Sequence, residues 1–272
     1  MDNFEKIKAV FLDIDGTLAN SNRQISDINK LPIKRMKEKG IFVVLCSGRS
    51  NKDVCEYSKQ AFASDYAISS NGAQIYNYKT KQNFYSDEVK YQELKAVWEF
   101  CEKNSLELVL NAKDVQYGNN FFCSDMYKDK VIINDIKKLK GIEIFQIIIN
   151  SNKYQELQEC EKFILATGEL KIANYSREYI AKQMDSKEPY YMFVNSKSTD
   201  KGIAITKFLN EMNIKKEEAI CFGDRINDIT MFNSCGNTVA MKNADQELKN
   251  IANHITLSND ENGVADFLNK YM

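Results

Sequence analysis

At 272 residues the chain is longer than a usual single domain, and one core with a sizeable insertion is the expected arrangement. Its 43% apolar content is that of a globular protein, and the net charge of −1 conceals many charges of both signs, so neither a nucleic-acid partner nor a membrane surface is expected. Lysine far outnumbers arginine, which argues further against a dedicated phosphate-backbone binder.

Seven cysteines, at 46, 55, 101, 123, 160, 221 and 235, form no C-x-x-C, and several fall inside apolar runs. They read as reduced, mostly buried thiols of a cytoplasmic protein rather than a disulfide framework. No early apolar segment resembles a signal peptide, and no run approaches membrane-spanning length. The only histidine, His254, lies near the C-terminus, which argues against a serine–histidine or multi-histidine zinc mechanism.

The first element, Ile7 to Leu12, is an apolar run of the kind buried on both faces of a parallel sheet, and it ends in Asp13-Ile14-Asp15-Gly16-Thr17-Leu18. Side chains alternate along a strand, so Asp13 and Asp15 project to one side where the strand stops, and Gly16 permits a sharp exit. Two crowded carboxylates resist ionising together unless a cation sits between them, and Mg²⁺ suits such an oxygen site. A bare D-x-D-G is also an ordinary strand-to-turn boundary. The longer string, an apolar strand followed by D-I-D-G-T-L, closely resembles the first motif of the haloacid dehalogenase-like phosphatase superfamily. The resemblance implies that Asp13 is a nucleophile forming an aspartyl-phosphate and Asp15 the general acid/base.

A polar connection leads to a helix capped by Ser26 and ending near Lys39, with Gly40 just beyond it; Pro32 is expected to kink or delay that helix. Ile41 to Cys46 is a second buried strand, followed by Ser47-Gly48-Arg49 and a short helix capped by Ser50. This βαβ unit is expected to be right-handed, with ligands beyond the carboxyl ends of its strands. Ser47 can offer a hydroxyl and Gly48 a main-chain N–H to a phosphate there. Ser-Gly-Arg resembles the family's second motif, whose hydroxyl holds the transferring phosphoryl group. Arg49 can meet a substrate anion or form a structural ion pair.

Tyr66 to Ser69 reads as a third strand, Asn71-Gly72 as a tight turn, and Ala73 to Tyr78 with Phe84-Tyr85 as a hairpin. Asn-Gly-Ala here resembles the Cof-type branch of the superfamily. From about residue 83 aromatic residues become dense and the pattern turns α+β. Expected elements are a helix capped by Ser86 or Asp87, a strand at 106–110, an extended stretch at 115–123 and helical pieces within 125–140. A strand at 142–150, a helix capped by Ser151, and an antiparallel pair at 170–174 and 178–184 follow. Position and character resemble the C2B-type cap of Cof-like phosphatases. Tyr190 to Asn195 is expected to lead the chain back to the core.

Lys201-Gly202 opens an apolar helix, where helix starts favour acids, so a lysine there calls for an anion. It resembles the third motif, which implies that Lys201 neutralises Asp13 and the phosphate. Ala219 to Gly223 is another buried strand, ending in Asp224-Arg225-Ile226-Asn227-Asp228. Gly-Asp-Arg-Ile-Asn-Asp resembles the fourth motif, G-D-x-x-N-D. The match implies Asp224 as a metal ligand beside Asp13 and the Asp15 main-chain carbonyl, Asp228 as a ligand through water or a support for one, and Asn227 as a phosphate contact.

The expected fold is a doubly wound, mostly parallel α/β core (1–82 and 188–272) with an inserted α+β cap (83–187). The expected function is Mg²⁺-dependent hydrolysis of small phosphate monoesters by a monomer or weak homodimer. A phosphotransferase such as a sugar-phosphate mutase, a receiver-like module and a sugar-phosphate sensor are the rival readings. The cap and Asp15 argue against the receiver.

Overall fold

The computed structural model describes residues 6–122, 127, 129–175 and 189–271, and the chain divides into two compact units, residues 1–85 with 200–272 and residues 86–199. In the larger unit the first half runs β1 (Ala9–Leu12), α1 (Asp27–Glu38), β2 (Phe42–Cys46), α2 (Asn51–Gln60), β3 (Tyr66–Ser69), β4 (Gln74–Asn77) and β5 (Gln82–Ser86). The smaller unit contributes α3 (Tyr91–Lys103), β6 (Glu107–Asn111), β7 (Gln116–Gly118), β8 (Val131–Ile132), β9 (Gln146–Ser151), α4 (Tyr154–Thr167), β10 (Leu170–Tyr175) and β11 (Tyr190–Ser196). The larger unit resumes with α5 (Lys201–Glu211), β12 (Ala219–Gly223), α6 (Ile229–Ser234), β13 (Asn237–Ala240), α7 (Gln246–Ile251), β14 (His254–Ile255) and α8 (Gly263–Tyr271).

The larger sheet has eight strands in the order β14-β13-β12-β1-β2-β3-β4-β5. Strands β14 through β3 pair in parallel, and β4 returns antiparallel to β3. All four residues of β1 are buried, as the unbroken apolar run requires of a central strand covered on both faces. The chain winds outward from β1 through β2 and β3, then returns to the other flank at β12. The reversal of strand order therefore falls at β1, the place where open α/β sheets bind ligands. Phe208 of α5 packs edge-on against Phe11, Phe42 and Tyr66 at ring distances of 5.7, 5.5 and 5.2 Å, which fastens that helix across β1, β2 and β3.

The helix signals hold for α1 and α2. Ser26 accepts the Asn29 N–H at 3.1 Å, Ser50 accepts that of Asp53 at 3.3 Å, and Gly40 has φ +81°. Pro32 differs from expectation: it lies inside α1, which runs unbroken from Asp27. Its missing N–H releases only the carbonyl of Ile28, a residue 56% exposed, where water can take the bond.

The smaller unit is a six-stranded sheet, β10-β11-β9-β6-β7-β8, with α3 and α4 packed on one face through Leu94, Val97, Leu157 and Ile164. The segment expected to return to the core, Tyr190 to Asn195, instead forms β11 between β10 and β9, so it belongs to this second sheet. Its alternation buries Met192 and Val194 among the helix-facing residues, which makes it a sheet-centre strand rather than a connector. The expected partner of β10 at 178–184 lies outside the described residues. Neither expected acidic or hydroxyl cap at 86–87 acts on α3: Asp87 accepts hydroxyl bonds from Ser198 and Thr199 at 2.9 and 2.7 Å. The helical pieces expected within 125–140 reduce, among the described residues, to a short 3₁₀ turn at Ile136–Leu139 after the two-residue β8. Six of the cysteines (46, 55, 101, 160, 221 and 235) are buried thiols that form no disulfide; Cys123 lies outside the described residues. Among the described residues no helix is long and apolar enough to cross a membrane.

On the sheet face away from the helices, Lys130 is fully buried, donating to Glu107 Oε1 at 2.6 Å and to the Phe121 carbonyl at 2.8 Å, while Asn150 donates to Glu107 Oε2 at 3.0 Å. Removing one member of such a pair leaves an uncompensated buried charge. Lys130→Met is expected to cost about 3 kcal/mol, read as a lower urea-unfolding midpoint, and adding Glu107→Gln to recover part of that loss. Equal loss in the single and double variants would count against the pair as the cause.

Candidate active site

The parallel register sets the site. Leu12 lies opposite Leu45 of β2 and Phe222 of β12, so the next residues of all three strands, Asp13, Cys46-Ser47 and Gly223-Asp224, emerge together at their carboxyl ends. Asp13 is tied to β12 by its N–H on the Phe222 carbonyl at 3.1 Å. Lys201 is the first residue of the helix α5. Its Nζ donates to Asp13 Oδ1 at 2.6 Å and to Asp228 Oδ1 at 2.7 Å, and its side chain is 1% exposed. Helix α5 is capped by Asp200, whose Oδ1 accepts the Ile203 N–H at 2.7 Å.

Asp13, Asp224 and Asp228 are buried and each brings a carboxylate oxygen within 4.8 Å of the others. Burial, helped by the charges of Asp228 and Asp15, pushes Asp13 up to about 7 despite the pull of Lys201. Burial and the charges of Asp13 and Asp228 push Asp224 up to about 8. Burial alone would lower Lys201; the two carboxylates outweigh it and hold its ammonium well above the ordinary lysine value.

The three acids are not equivalent. Both oxygens of Asp228 are engaged: Oδ1 by Lys201, and Oδ2 by the N–H groups of Asp224 at 3.0 Å and Arg225 at 3.2 Å. Asp228 therefore closes the turn after β12 and steadies the lysine. Asp224 accepts a bond from the Thr17 hydroxyl at 3.1 Å and stands 3.4 Å from Arg225 Nε. Gly16 has φ +80°, and a Cβ there would overlap Asp224 Oδ2, so the turn after Asp15 admits Asp224 only because residue 16 is glycine. Hard oxygen donors, crowded and short of positive charge, fit a divalent cation.

Asp15 points to the more open side. Arg49 grips it with both arms, Nε on Oδ2 at 2.7 Å and Nη2 on Oδ1 at 2.6 Å, and the guanidinium lies 4.9 Å from the Tyr57 ring centre. Arg49 thus forms an ion pair with Asp15. Ser47 is buried, its hydroxyl accepting the Arg49 N–H at 3.3 Å, and Gly48 is partly exposed beside it. Asn227 is partly buried on the 3₁₀ turn Ile226–Asp228. The sequence reading missed Thr17 and Asn243. Thr17 was within sight in the D-x-D-G-T string itself. Asn243, whose amide donates to the Gly16 carbonyl at 2.8 Å from 227 positions away, carries no local signal.

With this geometry in view, comparison with known proteins is specific. A family profile described as haloacid dehalogenase-like hydrolase matches residues 10–268. Phosphatase YwpJ of Bacillus subtilis (strain 168) is 28% identical over 288 residues, covering 96% of this chain and 99% of that protein. YcsE of the same organism, named a 5-amino-6-(5-phospho-D-ribitylamino)uracil phosphatase, is 27% identical over 264 residues, covering 95% and 93%. The crystal structure of a haloacid dehalogenase-like hydrolase from Bacteroides thetaiotaomicron matches with a TM-score of 0.84 at 26% identity, covering 98% of this chain and 100% of that one. The chain is thus an enzyme that belongs to the haloacid dehalogenase-like hydrolase family.

Proposed function

We propose that this hydrolase is a Mg²⁺-dependent phosphatase of small-molecule phosphate monoesters that works through an aspartyl-phosphate on Asp13. The observation that carries the reading is a buried carboxylate with one oxygen on Lys201, set among two further acids with a single buried lysine to balance them. The curated relatives, both phosphatases by name, support the reaction class. YcsE, which by its name acts on a phosphorylated ribityl compound, supports sugar-like or polyol phosphates as the substrate class.

In this reading Asp13, Asp224 and the Asp15 carbonyl would hold the cation, which when bound would supply positive charge to offset that of the carboxylates and the phosphoryl group. The Asp13 carboxylate attacks phosphorus, the ester oxygen leaves, and a proton from Asp15 makes it an alcohol. Asp15, now a carboxylate, takes a proton from water, whose oxygen attacks the phosphorus of the aspartyl-phosphate. Phosphate leaves and the Asp13 carboxylate is restored. Lys201 balances charge on Asp13 throughout, while the Ser47 hydroxyl, the Gly48 N–H and Asn227 hold the remaining phosphoryl oxygens. Arg49 donates to both oxygens of Asp15, so Asp15 carries the proton it is to deliver only once one arm of that fork is given up. The inserted residues 86–199 interrupt the chain between Ser47 and Lys201, and we assign substrate selection to them.

Free-phosphate release from a panel of small monoesters, with and without Mg²⁺, tests the reading. Release that needs Mg²⁺ is expected, and Asp13→Asn is expected to abolish it while leaving the thermal midpoint within a few degrees. Undiminished release from that variant would remove Asp13 as nucleophile.

A second prediction concerns pH. Asp13 and Asp224 take up protons in the folded protein at about 7 and about 8, against 3.8 in the unfolded chain. The metal-free folded state therefore binds more protons than the unfolded one, and its stability falls as pH rises through that window. Carboxylates held low, such as Glu261 at about 2 through its bonds from Ser258, are fully ionised above pH 6 and add no slope there. Between pH 6 and 8 the loss is expected to be on the order of 4 kcal/mol, a drop of roughly ten degrees in thermal midpoint. Mg²⁺ competes with those protons, so its stabilising shift is expected to be larger at pH 8 than at pH 6 and to vanish in Asp224→Asn. A shift equal at both pH values and retained in that variant would place the cation elsewhere.

A further inference from the structure

The tight turn after β3 is buried and wound the wrong way for side chains. Ser70, Asn71 and Gly72 have φ of 50°, 59° and 96°, all in the left-handed region that only glycine enters freely. Ser70 is 1% and Asn71 5% exposed. Such a run persists only where surrounding bonds impose it. Here the Ser70 N–H donates to the Arg49 carbonyl at 2.9 Å and the Asn71 N–H to the Ser47 carbonyl at 3.0 Å. On its other side, Gly72 lies so close to the main chain of Asp200 and Lys201 that no Cβ fits. The turn is thus a spacer, bonded at one end to the segment that carries Ser47, Gly48 and Arg49 and seated at the other against the start of α5.

The Asn71 side chain adds a second demand. A Cβ on Gly48 would stand 2.8 Å from Asn71 Oδ1 and 3.3 Å from its Cγ, so the carboxamide fills the space beside Gly48. A turn alone asks only for left-handed backbone, which glycine supplies better than asparagine. A carboxamide placed against Gly48 serves the segment next to it.

We infer that Asn71 is a positioning residue for the reaction. Its carboxamide sets the Ser47–Gly48 segment, and with it the direction in which the Ser47 hydroxyl and the Gly48 N–H are presented. The inference rests on the reading of Ser47 and Gly48 as the segment that holds the phosphoryl group. Asn71 acts through those two residues.

The decisive variant is Asn71→Gly in the full-length protein, because glycine keeps the left-handed backbone and removes only the carboxamide. With the best ester of the phosphate panel and Mg²⁺, kcat is expected to fall about tenfold, KM to change less than about threefold, and the thermal midpoint to stay within a few degrees. Asn71→Ala, which also strains the backbone, is expected to lose both activity and thermal stability. Wild-type kcat and KM in Asn71→Gly overturn the inference, whether or not the melting temperature moves, since a turn needs nothing that glycine lacks. If the wild type releases phosphate from no ester, the phosphatase reading fails by itself, and inorganic orthophosphate becomes the probe. Protection of the wild type against thermal unfolding that needs at least about tenfold more orthophosphate in Asn71→Gly upholds the positioning role. Equal protection of both proteins, or of neither, overturns it.

Discussion

The placement of one ammonium group governs this site. Lys201 is buried at the head of α5 between Asp13 and Asp228, within 2.7 Å of both. A lysine at a helix start sits against the positive end of the helix dipole, and burial adds a desolvation cost. Two short charge-assisted bonds offset both, and they hold only if strand, turn and helix arrive at one point. Several distant features serve that convergence: the parallel register of β1 and β12, the aromatic anchorage of Phe208, and the Asp200 cap.

The same constraint divides the acids by task. Asp228 spends its oxygens on Lys201 and on two main-chain N–H groups, so it fixes shape. Gly223 is part of that shape, since a Cβ there would stand 2.6 Å from Asp228 Oδ2. Asp224 takes the Thr17 hydroxyl and stands beside the half-exposed Arg225, and Asp13 has one oxygen on Lys201. Three buried carboxylates against one buried lysine leave negative charge in excess, and the upward shifts of Asp13 and Asp224 express that excess as a demand for protons or a cation.

Asp15 and Arg49 form a second charge system on the more open side. A bidentate fork keeps Asp15 oriented before substrate arrives and keeps the guanidinium stacked near Tyr57. In the proposed reaction the fork is the part that must yield, which links proton delivery to whatever competes for Arg49.

Much of this was legible in the chain because the chemistry is local. An apolar run that stops at two aspartates, a serine after the next run, and a lysine opposing a helix dipole each announce a strand end or helix start with a task. The parallel core follows from the same runs, since a strand buried on both faces has no polar alternation. What tertiary structure alone decided is which local features meet. Tyr190 to Asn195 is apolar and extended, and sequence cannot say which sheet it joins; its hydrogen-bond partners in β9 and β10 do. The pairing of Arg49 with Asp15, 34 positions away, and that of Asn243 with Gly16 arise only through the fold. Side-chain type and spacing carry intrinsic preference, whereas pairings across many tens of residues depend on register, burial and the direction of each side chain, which exist only once the chain has closed on itself.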